Sequence, residues 1–508
     1  MPPGLFDVHE EGSTVYRCGG INEHQGLQLL EAFNFAIDSI NRQQNLFQGR
    51  LSGVRVGGIG IDVCKSPTRA ANIVANIHSG NLPLRLPGGL EINRRQILAY
   101  VGPFDTPTTI RVADILSTIG IPQITYGATG LQLQDKAKYQ YLLRSVPADD
   151  KQSRAIISYL KNFNLTNVQL VSSYESIGET MRAEFMRLAI LNLICISHNY
   201  TVGKEADRDA EARSVVRQLV QNQLLQNQQS KVVVLLVDDP LPILRAASRD
   251  SQAKDDFLWV ATDKWGYDLR FLDQIPALLG DRSIKKNVVI FDIETADVPL
   301  YDQYLDGKTP DNYKIDPWFL EFYENFFNCS WSATGPGSCD KTRGLPRNEQ
   351  YVQDPYVLYV VNAVFSAGIA IDETLHIVCS GSNANRFDGL CLKFEVTGNR
   401  RDIVLSEMRK VNFTDDTRQP FYFEPTGESS RGYHIYNVTA NNNEGMNKGT
   451  YMYENVSLFL SFYFVLFMVW GHLELLILLI SEPGALSFTV ILLSELNAED
   501  KGVVTGGM

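Results

Sequence analysis

Apolar runs and amphipathic stripes alternate along most of this chain. VRVGGIGIDVC (54–64), ILAYVGPF (97–104), PQITYG (122–127), VQLVSS (168–173), KVVVLLVD (231–238), FLWVATD (257–263) and NVVIFDI (287–293) read as strands. Continuous runs of this kind, rich in Val and Ile, suit parallel strands covered on both faces. Helical spacing falls between them. From Gln25 to Asn41 the apolar positions Leu27, Leu30, Phe33, Ile37 and Ile40 share one stripe. Further helices are predicted over Pro67–His78, Thr108–Ile119, Gln152–Leu160 and Gly178–Leu191. Strand–helix alternation over such a length predicts doubly wound α/β sheets with right-handed crossovers. With 508 residues, two sheets fit better than one.

The strand ends carry the candidate chemistry, because open parallel sheets bind ligands beyond their carboxyl edges. GPFDTPTTIRV puts Asp105, Thr106 and Pro107 where a helix starts, so free amides and the helix dipole could hold an anion. IPQITYGATG breaks from a buried strand into hydroxyls and glycines, with Thr129 and the Gly127 backbone as donors. VATDKW ends a strand on Asp263, an acid suited to an ammonium. Helix capping explains Asp105, Thr106 and Asp263 equally well without a ligand.

A net charge of −12 argues against a nucleic-acid surface. Seven cysteines lack zinc-like spacing and do not cluster with histidine, so neither a metal nor another cofactor is expected. Cys329/Cys339 and Cys379/Cys391 fall as local pairs of the kind disulfides staple. Asn-x-Ser/Thr glycosylation sequons occur at Asn164, Asn199, Asn328, Asn412, Asn437 and Asn455, and with the cysteines they favour the secretory pathway. The opening MPPGLFDVHEEG does not read as a signal peptide. Residues 456–481 are apolar and long enough to span a bilayer, with His472 and Glu474 inside, followed by a tail over 482–508. A single anchoring helix and an aberrant tail both fit that end.

Several stretches together are more specific than the strands. CGGINEHQGLQLLEAFNFAIDSIN (18–41), GLFDVHEEG (4–12), IPQITYGATG, DPWFLEFYENFFNC (316–329), YVVNAVFSAGIAI (359–371) and RGYHIYNV (431–438) resemble the ligand-binding ectodomain of metabotropic glutamate receptors. These are class C G-protein-coupled receptors, and the stretches follow the family's order and spacing from about Gly4 to Val438. The resemblance implies two doubly wound lobes with a hinge, of the periplasmic-binding-protein type I or Venus-flytrap kind, closing on an amino acid. Lobe 1 would comprise 1–145 with 290–425, and lobe 2 would comprise 146–289 with 426–454. It also implies disulfides Cys18–Cys64, Cys329–Cys339 and Cys379–Cys391. Cys195 matches the cysteine that reaches a cysteine-rich linker, and the dimer face would use Ile115 and Ile119.

The same resemblance assigns an amino-acid head group to Thr106, Gly127, Thr129, Asp149, Ile177 and Asp263. Ile177 replaces a tyrosine whose ring covers the ammonium. Cations that grip the glutamate side chain are replaced by Leu29 and Tyr356, and in some members a further arginine by Asp268. Losing two or three charge-assisted hydrogen bonds would cost roughly three or more decades of affinity. The expected function is therefore an ectodomain closing on an amino acid or amine other than glutamate, on the extracellular side of the plasma membrane. Its partners would be a second subunit through lobe 1, in a homodimer or heterodimer, and a G protein only if a seven-helix domain follows. A ligand-less pseudo-receptor acting as a dimerising or protein-binding scaffold is the alternative. An enzyme is not expected, since GxSxG, GxxxxGK[ST], HExxH and helix-opening GxGxxG motifs are all missing.

Overall fold

The computed structural model describes residues 2–507 apart from 15–16, 23–24, 86–90, 175, 204–207, 226–230, 238–239, 264–287, 314–315, 334, 336, 345–352, 380–390, 439–448, 454–465, 471–472, 483–484 and 494–503. Residues 1–453 form one compact unit and 454–508 another.

In the first unit, β1 (Pro3–Phe6), β2 (Ile59–Asp62), β3 (Tyr100–Val101), β4 (Gln123–Thr125) and β5 (Leu142–Arg144) make a wholly parallel sheet ordered β2-β1-β3-β4-β5. Neighbouring residues serve opposite faces. Leu5 and Tyr100 pack with the helix Pro67–Ser79, while Phe6 and Val101 pack with the helices Gly26–Asn41 and Val357–Cys379. The last helix is apolar and long enough to cross a membrane, yet 89% of its most apolar window is buried, so it is a core helix here.

The chain then forms β6 (Asn167–Ser173), β7 (Cys195–Val202), β8 (Val232–Leu236), β9 (Leu258–Ala261) and β10 (Val288–Ile293). A small hairpin, β11 (Asn412–Thr414) and β12 (Pro420–Tyr422), precedes β13 (Tyr433–Val438) and β14 (Gly449–Tyr453). The second sheet runs β14-β13-β10-β9-β8-β6-β7, parallel except where β13 meets β10 and β14. In β8, Val232, Val234 and Leu236 enter one core and Val233 and Leu235 the other. That two-sided burial is why the run reads as continuous.

The expected strands and helices are in place, with ends moved by a few residues. β1, β5, β7 and β11 to β14 were not read from the sequence. β1 and β5 are short, and β7 is a half-exposed edge that needs no apolar face. β10 stays paired with β13 through Ile293, and β13 begins at Tyr433, so the second sheet takes in Val288–Ile293 and Tyr433–Val438.

Three chain crossings join the two sheets, and they are tied to one another. Ser145 Oγ donates to Tyr359 O at 2.8 Å and Tyr359 OH donates to Glu294 O at 2.7 Å. Arg431 pairs with Asp415 and Glu294, and Glu294 N donates to Gly432 O at 3.1 Å.

In the second unit, Leu466–Trp470 and Leu473–Glu482 are antiparallel strands, and Ala485–Leu493 pairs with the latter. Where 456–481 is described it is thus strand, at the end for which the sequence left a single anchoring helix and an aberrant tail both open. Its Leu, Ile, Val and Phe suit either period, and apolarity alone does not choose between them.

Candidate functional site

Asp105 leaves β3 and caps the helix Thr106–Thr118, its Oδ1 accepting from Thr108 N at 2.8 Å. The next loop, after β4, is drawn tightly onto it. Gly130 N donates to Thr106 Oγ1 at 3.1 Å, Thr125 Oγ1 donates to Pro103 O at 2.6 Å, and Ala128 N donates to Thr125 Oγ1 at 3.2 Å. A Cβ on Gly127 would lie 2.3 Å from the Phe104 ring, and one on Gly130 would lie 2.5 Å from Thr106 Cγ2. Much of the small polar chemistry in TYGATG therefore serves loop-to-loop contact. The Thr129 hydroxyl differs, since no described residue hydrogen-bonds to it although the residue is buried.

Asp149 joins this loop through its backbone, whose N–H donates to Thr129 O at 3.1 Å. It opens the helix Asp149–Asn162, where the dipole favours a carboxylate. One turn on, Gln152 Nε2 donates to Asp263 Oδ1 at 2.8 Å and to Phe291 O at 3.0 Å. Gln152 thus fixes the Asp263 carboxylate beyond the end of β9. Tyr433 OH reaches Ala148 O at 3.4 Å. Burial pushes the Tyr433 phenol well up, and the Asp263 and Asp149 carboxylates add to it. Thr106, Gly127, Thr129, Asp149 and Asp263 form one connected region. Ile177 lies in the helix Ser176–Leu191, with its side chain outside the described residues.

The far end is apolar and acidic. Leu29 and Tyr356 are buried in the first sheet's core, and Tyr356 stacks edge-on to Phe104 with centroids 4.9 Å apart. Burial raises the Tyr356 phenol strongly, and Asp263 and Asp292 raise it further. Asp268 lies outside the described residues.

Behind this wall are acids that the sequence alone did not single out. Asp7 follows β1, and its Oδ1 accepts from Lys65 N at 2.7 Å. Asp354 accepts from Tyr356 N at 2.8 Å and Gln25 Nε2 at 3.3 Å. Burial pushes both carboxyls up to about 7, helped at Asp7 by Asp105. Asp7, Asp105 and Asp354 all act on the buried Tyr126 phenol. The signal for Asp7 was its place at a strand's carboxyl end. Gln152 carried the weaker signal of a polar residue on a helix's inward side.

The three expected disulfides are formed, with Cα–Cα distances of 5.5, 5.0 and 5.9 Å for Cys18–Cys64, Cys329–Cys339 and Cys379–Cys391. Cys195 is free and exposed. His9, Cys18 and Asp62 come close enough together to suggest a metal site, but the Cys18 sulfur is spent in a disulfide. Asn164, Asn199, Asn328 and Asn412 are exposed, while the side chain of Asn437 and all of Asn455 lie outside the described residues.

Two doubly wound sheets carry polar strand-end loops that meet between them, the place where folds of this class bind ligands. The family model described as "Receptor family ligand binding region" matches residues 28–441, and the chain belongs to that family. Metabotropic glutamate receptor 6 of Oryctolagus cuniculus is 26% identical over 466 residues, covering 88% of this chain and 51% of the relative. The chain spans about half the length of that curated relative. The family is one of receptor regions rather than of enzymes.

Proposed function

We propose that the chain is the ligand-binding ectodomain of a metabotropic glutamate receptor-like receptor whose lobes close on an amino acid or amine other than glutamate. The observation that carries this reading is the far wall of the site. Buried Leu29 and Tyr356 stand where the resemblance expects cations, and Asp263, Asp292 and Asp354 act on Tyr356. A side-chain carboxylate placed there would be desolvated without a positive partner. The head-group end would use the Thr129 and Thr106 hydroxyls for a carboxylate, and Asp149 and Asp263 for an ammonium. Closure follows only from contacts made in the closed form alone.

Plasma-membrane placement, glycosylation at the sequons, and assembly through the first sheet's helices with Ile119 exposed belong to the same proposal. Coupling to a G protein requires a seven-helix domain in the full gene product. A thermal-shift panel on the 508-residue chain tests the ligand class. Lysine, arginine, small neutral amino acids and simple amines include stabilising members, and glutamate gives no shift.

A scaffold without a small ligand is the second reading. It is favoured by the internal partners that Thr106 and Asp263 already have in Gly130 and Gln152. A flat response across the whole panel would support it.

A further inference from the structure

Four arginines meet on the first sheet's side of the molecule, away from the strand-end loops. Arg94 and Arg95 sit on a short turn (Arg94–Gln96), and Arg400 and Arg401 open the helix Arg400–Met408. Backbone carbonyls, not carboxylates, hold Arg94, Arg400 and Arg401 in place. Arg94 Nη1 donates to His78 O at 2.7 Å. Arg401 donates to Ile97 O at 3.0 Å and Arg94 O at 3.2 Å. Arg400 donates to Phe394 O at 2.9 Å, Glu395 O at 2.8 Å and Arg95 O.

Carbonyls orient a guanidinium but leave its charge standing. Glu395 acts on Arg400 from an exposed position, and Asp402 is engaged by Tyr141 OH. The helix N-terminus adds positive potential at the same point. A neighbouring group registers the field. His78, hydrogen-bonded to Tyr100 OH at 2.9 Å, is pulled down to about 4, first by burial and then by Arg401 and Arg94. Arg94 and Arg95 are exposed, and no described residue pairs with the Arg95 side chain.

We propose that Arg94, Arg95 and Arg401 form a docking surface for a sulfated polysaccharide chain, with Arg400 buried behind them. Preset guanidinium forks suit tetrahedral oxyanions, and several fixed on adjoining segments suit a repeating one. The chain's net charge of −12 repels polyanions elsewhere, so attraction has to be local. On a secreted or cell-surface protein the abundant polyanion is sulfated glycan rather than nucleic acid.

The test is binding of the 508-residue chain to immobilised heparin oligosaccharide. Retention is expected at about 50 mM salt and release by about 200 mM, as for a polyelectrolyte contact. Arg95→Glu, which keeps the carbonyl that Arg400 uses, weakens binding about tenfold or more, with the melting temperature unchanged. Arg213→Glu, on an exposed helix beside the second sheet, leaves binding as it was. No retention at low salt, equal loss in both variants, or equal binding of desulfated heparin or duplex DNA would each overturn the proposal.

Discussion

Arg144→Ala destabilises the first sheet's half of the molecule by about 3–5 kcal/mol. Arg144 is 0% exposed at the end of β5. Its Nη1 donates to Thr129 O and Gly130 O, each at 2.9 Å, and its Nη2 meets Glu428 Oε1 at 2.6 Å. Truncation leaves the Glu428 carboxylate buried without its cation and takes one of two donors from each of two carbonyls of the candidate ligand loop, which keep Asp149 N–H and Leu133 N–H. A drop of about 5–10 °C in melting temperature is expected for a half of this size. Replacing both partners by apolar residues, Arg144→Met with Glu428→Leu, recovers much of the loss, because neither charge is then stranded. Scanning calorimetry of the two singles and the double measures this. Ligand affinity, by contrast, stays low in the double, since Thr129 has lost one of its two backbone tethers.

The second large effect is on pH. Asp7 and Asp354 stay protonated in the folded chain up to about 7, against 3.8 in the unfolded chain. Asp316 is likewise pushed up to about 7, by burial and by Glu31 beside it. Between those values the folded state binds more protons than the unfolded one, so stability falls as pH rises, by about 1.4 kcal/mol per pH unit for each carboxyl. His9 has the same sign: burial lowers it but its bonds to Asp62 and Glu321 win, so its contribution is lost as pH rises. His78 opposes them between about 4 and 6.5, where only the unfolded chain takes up its proton. The melting temperature should therefore decline from about pH 5 to pH 7 and level off above that. Asp7→Asn and Asp354→Asn keep the acceptor oxygens and flatten the slope. A melting temperature that climbs with pH in the unmodified chain would contradict these assignments.

The sheets were legible because two-sided burial leaves unbroken runs such as Val232–Leu236, which are hard to write any other way. What escaped were elements whose identity is set by neighbours. β7 is polar because it is an edge, and Arg144 in β5 is buried because Glu428 arrives from 284 residues away. The apolar stretch around 466–482 shows the opposite failure, a composition that fits helix and strand alike.

The site divides in the same manner. Strand-end position marked Asp105, Thr129 and Asp263 without any structure. It could not reveal that Thr125, Gly127 and Gly130 are spent on packing one loop against another, nor that Gln152 fixes Asp263 across 111 residues of sequence. The upward shift of the Asp7 and Asp354 carboxyls could not be read for a related reason, since burial is a tertiary property.

The most direct measurement compares ligands that share a head group and differ at the tail. Glutamate, glutamine and lysine are titrated calorimetrically against one preparation of the chain. A site that grips the zwitterion yet meets the side chain with Leu29, Tyr356 and nearby acids binds glutamine or lysine roughly a thousandfold or more tighter than glutamate. Glutamate binding as tightly as either would contradict it.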